Sequence, residues 1–206
     1  MRKGRIVLLL LFSAAVFALS FLSFFPFGPG AEVAWSRMVR AASERGFFLD
    51  ASDVSAEGGL TPEALLLNVR LRSPLLSGEA GKVSAVFSPA DMITRMAPTA
   101  RIRLERVSVN LPLPGERPLY LSSLECRLVF RKDRIEVLEL RTSGELDVSG
   151  AVVVSPVKFT LEEADLSLGG ERAQLLEFFR SVLPLRQEKP GSWTLKKGGT
   201  NDRGTD

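Results

Sequence analysis

The 206-residue chain contains no histidine. That absence excludes Ser-His-Asp and Cys-His catalysis, imidazole-ligated metal sites and the usual side-chain pH switch. Its one cysteine, Cys126, leaves no internal disulfide and no CxxC metal or redox site. Charge of one sign is also scarce, with Lys+Arg 27 against Asp+Glu 24 and a net charge of +3. So small a surplus does not make nucleic acid the default partner. Aromatic residues are only 8% of the chain, and no aromatic platform for stacking bases is apparent. Apolar residues at 45% and charged residues at 25% are ordinary for a globular protein. These absences argue against most familiar enzymes and leave the role open.

One long hydrophobic run is present. Ile6 to Phe25 carries no charge, and Arg2, Lys3 and Arg5 crowd its start. A helix of about 20 residues spans about 30 Å, the thickness of a bilayer's hydrocarbon core. A helix is also the only form that satisfies every backbone amide of such a run within the segment. The next positive charge is Arg37, so the positive-inside rule places the N-terminus in the cytoplasm and the rest beyond the membrane. A signal peptide cleaved at Ala18-Leu19-Ser20 is the rival reading. The apolar stretch continues past that site through Phe21, Leu22, Phe24 and Phe25, which favours an uncleaved anchor. No cysteine lies nearby to be lipidated. Pro26-Phe27-Gly28-Pro29-Gly30 reads as a helix-breaking elbow. The chain thus divides into 1–30 (stub, anchor, elbow), 31–196 (an exported α+β domain, mostly antiparallel β) and 197–206, a Gly/Thr/Asp-rich tail expected to lack order.

After the elbow, Ala31 to Arg45 reads as a helix with a stripe of Ala34, Trp35, Met38, Ala41 and Ala42. The narrow Ala-rich stripe suits packing on the domain's own sheet better than resting on a bilayer. From Phe47 the period falls to two. The expected inward sets are Leu65, Leu67, Val69 and Leu71; Val83, Ala85 and Phe87; Ile102 and Leu104; Val107, Val109 and Leu111; Leu124, Cys126, Leu128 and Phe130; then Leu146, Val148, Val152 and Val154. The change of parity between Leu104 and Val107 suggests a bulge near Glu105-Arg106. Lys132-Asp133 reads as a tight connection to a strand holding Ile135 and Val137, and Ser155-Pro156 as a turn into Phe159 to Leu168. Short turns with few intervening helices argue for an antiparallel meander, with one apolar and one charged face. Two short helices are available to cover the apolar face. The first starts at Ser88-Pro89-Ala90-Asp91 and ends near Met96. The second is Glu171 to Leu183, with Leu175, Leu176, Phe179, Val182 and Leu183 on one stripe. A last strand runs from Ser192 to Lys196.

Candidate chemistry is thin. Glu163 and Asp165 share a strand face, yet no nucleophile or oxyanion donor accompanies them, so a solvated face is the favoured reading. Gly169-Gly170 lacks a phosphate-loop pattern and reads as a turn. Cys126 alternates with apolar neighbours and reads as a small buried hydrophobe. Arg101, Arg103, Arg106, Arg127, Arg131, Arg134 and Arg141 could form a basic stripe for phosphate-bearing headgroups or an acidic partner. Glu105, Glu125, Glu136 and Glu139 balance it, which favours an ordinary solvated face. No metal or cofactor is implied.

Several segments carry a likeness. Leu66-Leu67-Asn68-Val69-Arg70-Leu71 precedes Ser73-Pro74-Leu75-Leu76-Ser77-Gly78. Gly144-Glu145-Leu146-Asp147-Val148-Ser149-Gly150 is followed by Val154-Ser155-Pro156. Near the end come Leu183-Pro184-Leu185 and Pro190-Gly191-Ser192-Trp193-Thr194-Leu195. With the apolar N-terminal run, this arrangement resembles the type II secretion system protein N (GspN-like) family, which is similar in turn to AsmA-like envelope proteins. The resemblance covers most of residues 1–196. It implies a non-enzymatic accessory of a secretion apparatus, single-pass in the bacterial inner membrane with its main domain in the periplasm. Its partners would be inner-membrane lipids and other secretion or envelope proteins. The AsmA-like relation implies a curved or elongated sheet that could bind or transfer lipid. The expected apolar groove is Val83, Phe87, Leu128, Phe130, Val148 and Val152, with Leu176 and Phe179 from the second helix plugging it or giving way to a ligand.

Overall fold

The computed structural model describes residues 27–198, apart from 45, 60, 75, 112–115, 156–159 and 181–182. The expected anchor, most of the C-terminal tail, the Pro156 turn and Val182 lie outside the described residues. The first helix, α1, is Phe27–Ser43. It begins before the expected Ala31, because a proline is tolerated in a first helical turn, where its missing N–H has no intrahelical partner anyway. Residues 27–30 are therefore helix rather than elbow. After α1 the chain doubles back: the Gly46 N–H donates to the Ser43 carbonyl and the Phe47 N–H to the Ala42 carbonyl, each at 3.0 Å. The helix packs on β1 (Phe48–Asp50) and β2 (Asp53–Glu57). Ala31, Trp35, Val39 and Ala42 are half-buried, whereas Met38 is 49% exposed. The packed stripe thus passes through Val39 rather than Met38, one step round the helix from the expected one.

The remaining strands are β3 (Glu63–Arg72), β4 (Ser77–Phe87), β5 (Thr99–Asn110), β6 (Leu119–Phe130), β7 (Ile135–Gly144), β8 (Asp147–Ser155), β9 (Thr160–Gly169), β10 (Leu185–Lys189) and β11 (Ser192–Lys197). All pair antiparallel in one 11-stranded sheet of order β1-β3-β4-β5-β6-β7-β8-β9-β11-β10, with β2 beside β1 on the same edge of β3. From β3 to β9 every neighbour is also the next strand in sequence, as the short turns predict. The far end departs from the meander: β11 slips between β9 and β10. Neither β1, β2 nor β10 was expected. Each has at most five residues, too few for a period of two to register.

The second helix, α2 (Pro89–Arg95), matches its sequence signals. Ser88 Oγ accepts from the Asp91 N–H at 3.2 Å, and Pro89 occupies the first turn. It ends at Met96 in the left-handed conformation, φ 48°. The expected helix over 171–183 is instead a shorter 3-10 helix, Ala173–Phe179. Its first residue is preceded by Arg172, which makes no side-chain cap. With no cap at its start and Pro184 beyond its end, the segment forms a short, tightly wound turn rather than a longer α-helix.

The parity change seen in β5 is real, but its cause is not a bulge. Arg106 adopts a left-handed φ of 55°, and Asn68 on β3 does likewise at 48°. The β4–β5 pairing runs from Ala80↔Val107 to Lys82↔Glu105 with no register shift. Asn68, Gly81 and Arg106 therefore form a seam at which β3, β4 and β5 all turn over together. Gly81 leaves room there for the Arg106 side chain, whose Nε lies 2.7 Å from where a Cβ would sit. The seam also corrects the expected inward set on β3. Leu66, opposite Val83, and Val69, opposite Ala80, lie on the apolar face, while Leu65 and Leu67 lie opposite Ser84 and Lys82. One left-handed residue between them lets residues of unlike parity share a face.

Gly150 makes the most confined approach in the sheet. Its φ is +138°, and a Cβ would come within 2.0 Å of the Asp165 carbonyl oxygen. Gly150→Ala should lower stability by about 3 kcal/mol in urea melts, whereas Gly59→Ala, with nothing within 4 Å, should cost only about 1 kcal/mol.

Candidate binding face

Apolar residues on successive strands fall opposite one another. Phe87 pairs with Ala100, Ala100 with Leu128, Leu128 with Val137, Val137 with Val152 and Val152 with Ala164. Directly paired residues share a face, so this is one apolar row across β4 to β9. A parallel row runs Phe130, Ile135, Val154 and Leu161. Val83 pairs with Leu104 nearer the seam. All six strand residues of the expected groove therefore share one face. Sequence reading assigned this face from parity alone. The expected groove left out Ala100, and also Val137 although its strand was expected; the register places both opposite Leu128.

The face is not covered evenly. At the β9–β11 end, Ala164, Leu168, Ala173, Leu176, Leu185, Trp193 and Leu195 form a buried cluster, with Val148, Val152, Leu161 and Phe179 packed on it. Leu176 and Phe179 come from the 3-10 helix, so that segment closes this part of the face. Near the seam, Ala80, Val107, Leu119 and Leu121 form a second cluster, against which Val83 and Leu104 pack. Between the two, Phe87, Ile102, Leu124, Leu128 and Val137 are only half-buried, and Phe130 is 39% exposed. The groove residues thus split. Val148, Val152, Leu176 and Phe179 belong to the closed part, and Phe87, Leu128 and Phe130 to the open part.

A polar latch holds the 3-10 segment down. Arg172 donates from Nη1 to the Arg117 and Pro118 carbonyls at 3.1 and 3.2 Å and pairs through Nη2 with Glu116. Glu145 accepts from Arg117 Nη2 at 2.6 Å and from the Tyr120 N–H at 2.9 Å, and lies 3.8 Å from Arg172 Nη1. The Arg172 and Glu145 side chains are 13% and 15% exposed, so solvent screens this pair little. The neighbouring Gly169-Gly170 leads into a turn: the Arg172 N–H donates to the Glu145 carbonyl and the Ala173 N–H to the Gly170 carbonyl.

The opposite face carries the arginines. As the balancing glutamates lead one to expect, most of them meet carboxylates. Arg103 lies 3.2 Å from Glu105 and 3.4 Å from Glu125, Arg127 lies 3.0 Å from Glu139, and Arg131 and Arg134 share Glu136. Arg101 reaches Asp91 at 3.7 Å. A cavity of about 510 Å³ between these side chains is lined by Arg101, Arg103, Arg127, Arg141, Glu125 and Glu139. Asp165 and Glu163 lie exposed on β9, and Asp165 is 3.9 Å from Lys196. Among the described residues, no group of three or more His, Cys, Asp or Glu side chains is placed to hold a metal ion. Cys126 sits half-buried opposite Ile102, and burial pushes its thiol above the ordinary range.

The chain is thus a wide antiparallel meander with one apolar face that its own side chains cover unevenly. A family model described as type II secretion system protein GspN-like, Synergistales, matches residues 4–197. The chain belongs to that family. Neither the curated proteins nor the solved structures contain a match.

Two outcomes test this geometry. Arg172→Ala should cost about 2 kcal/mol in chemical denaturation, because it leaves the Glu145 carboxylate without its shielded partner. Cys126 should be alkylated more slowly than free cysteine, and its rate should keep rising with pH beyond the ordinary thiol range, because only the thiolate reacts.

Proposed function

We propose that the chain is an inner-membrane-anchored, non-enzymatic component of a type II secretion apparatus. Ile6–Phe25 is its anchor, with the N-terminus in the cytoplasm and the sheet in the periplasm. The domain acts by binding, and its apolar face is the surface it offers to other secretion or envelope proteins. The observation that carries this reading is the row from Phe87 to Val137, which is apolar on every strand and in which Phe87, Leu128 and Val137 are only half-buried beside a buried Ala100. Leaving such a row half-open costs hydrophobic stabilisation of about 25 cal/mol per Å², which a bound apolar segment would recover. Tethering to the membrane raises the effective concentration of the face near membrane-bound partners. The family match, a secretion-system family spanning nearly the whole chain, supports the setting.

A second reading is favoured by the same opening. Phe87, Leu128 and Phe130 would serve equally to hold an acyl chain, as in an AsmA-like lipid-binding or lipid-transfer module. In that reading the 3-10 helix, with Leu176 and Phe179, closes one end of the groove.

A photo-crosslinking residue placed at Leu128 or Phe130 in cells separates the two. The first reading expects a protein adduct containing a secretion component. It also expects Phe130→Asp to reduce secretion about tenfold at unchanged abundance, on the scale of losing one buried apolar contact. A lipid adduct without a protein adduct would transfer the assignment to the second reading. Glu163→Ala with Asp165→Ala should leave secretion unchanged, whereas lost secretion would point to chemistry instead.

A further inference from the structure

The direction of α1 orients the whole sheet. A short connection, residues 44–47, joins α1 to β1, and the helix lies along both β1 and β2. It must therefore run opposite to them. Strand β1 starts beside Arg72 and β2 ends beside Glu63, so the pair runs toward the end of the sheet where β3 begins. The N-terminus of α1, at Phe27, points to that same end. A helix of this length covers about 25 Å, roughly three-quarters of the span of β1 and β2 together. The same end carries α2, between β4 and β5, and the turn 131–134 between β6 and β7.

The tip of α2 is the most exposed apolar feature among the described residues. Ile93 is 77% exposed and Met96 93% exposed. Single exposed apolar residues are common and need no explanation. Met96 is different, because it also occupies a left-handed helix cap at φ 48°. Glycine or asparagine is the usual residue there, and a bulky side chain is strained. The strained backbone holds a long, soft apolar side chain outward next to Ile93. Arg95 lies between them and forms no ion pair among the described residues, and Lys132 is exposed at the neighbouring turn. Apolar tips interleaved with cations match the boundary between acyl chains and anionic headgroups.

We propose that the α2 end of the sheet seats in the surface of the bilayer that Ile6–Phe25 enters. Ile93 and Met96 dip into the headgroup boundary, and Arg95 and Lys132 face lipid phosphates. This rests on the anchor reading, because the apolar run ends immediately before α1 and so delivers the N-terminus of that helix to the membrane surface. The strands then stand away from the bilayer, with the end of β3 at Arg72 and the end of β5 at Asn110 on the distal side.

The full chain, carrying Cys126→Ser, tests this in proteoliposomes of phosphatidylethanolamine and phosphatidylglycerol that contain doxyl-labelled lipid. Single bimane-labelled cysteines replace Ile93, Met96, Phe48, Tyr120 or Leu19 in turn. Phe48 and Tyr120 are exposed controls at the opposite end, paired with Arg72 and Ser108. Quenching of about twofold at Ile93→Cys and Met96→Cys, with little at Phe48→Cys or Tyr120→Cys, is the expected result. Equal quenching at both ends, or none at Ile93→Cys and Met96→Cys while Leu19→Cys is quenched, overturns the seating and leaves the anchor standing. An unquenched Leu19→Cys overturns both.

Discussion

Trp193 is where the open end of the meander closes. It is 1% exposed, pairs with Leu168 across β9–β11, and lies in one cluster with Ala173 and Leu176 from the 3-10 helix. A meander can be extended strand by strand, but each added strand also extends an apolar face that something must cover. Here the chain leaves β9, crosses that face as the 3-10 helix, lays down β10 and returns as β11 between β9 and β10. The return places Trp193 and Leu195 under the crossing segment. The indole Nε1 is buried without a hydrogen-bond partner, a desolvation cost on the order of 1–3 kcal/mol that the packing of so large a side chain offsets.

Closure at one end sets the character of the rest. The 3-10 helix is short, so it covers β8, β9 and β11 and leaves the middle strands with half-buried apolar side chains. The Arg172–Glu145–Arg117 latch ties the start of that helix to the β5–β6 connection and the β7–β8 turn, which spreads its support over distant parts of the chain. On the opposite face, alternating arginine and glutamate across β5, β6 and β7 balance one another in sign. The domain thus has one largely charged face, closed over Thr99 and Val129 near α2, and one apolar face only partly covered by its own side chains.

Much of the apolar face was legible beforehand. Val83, Ala85 and Phe87, and Leu124, Cys126, Leu128 and Phe130, alternate strictly, and strict alternation has one structural meaning. The cap of α2 was legible for the same reason: Ser88, Pro89 and Asp91 act through local hydrogen bonds and a fixed φ. Reading failed where a residue's role depends on a strand far away. Leu65 and Leu67 alternate as well as any inward pair, yet the left-handed Asn68 puts Leu66 and Val69 on the apolar face instead. An asparagine tolerates that conformation but does not announce it. Arg106 announces it less still, and its place is understood only from Gly81 beneath its guanidinium.

By itself, the sequence determined the family, the antiparallel order of β3 to β9, the apolar and charged faces of most strands and the absence of histidine chemistry. Each of these follows from local pattern or from composition. Only the tertiary structure decided that β11 inserts inside β10, that a 3-10 turn closes just one end of the apolar face, and which carboxylate each paired arginine meets. It also decided the direction of α1 along β1 and β2. These depend on which strands lie side by side, and a period of two records which way a side chain faces without recording its neighbour.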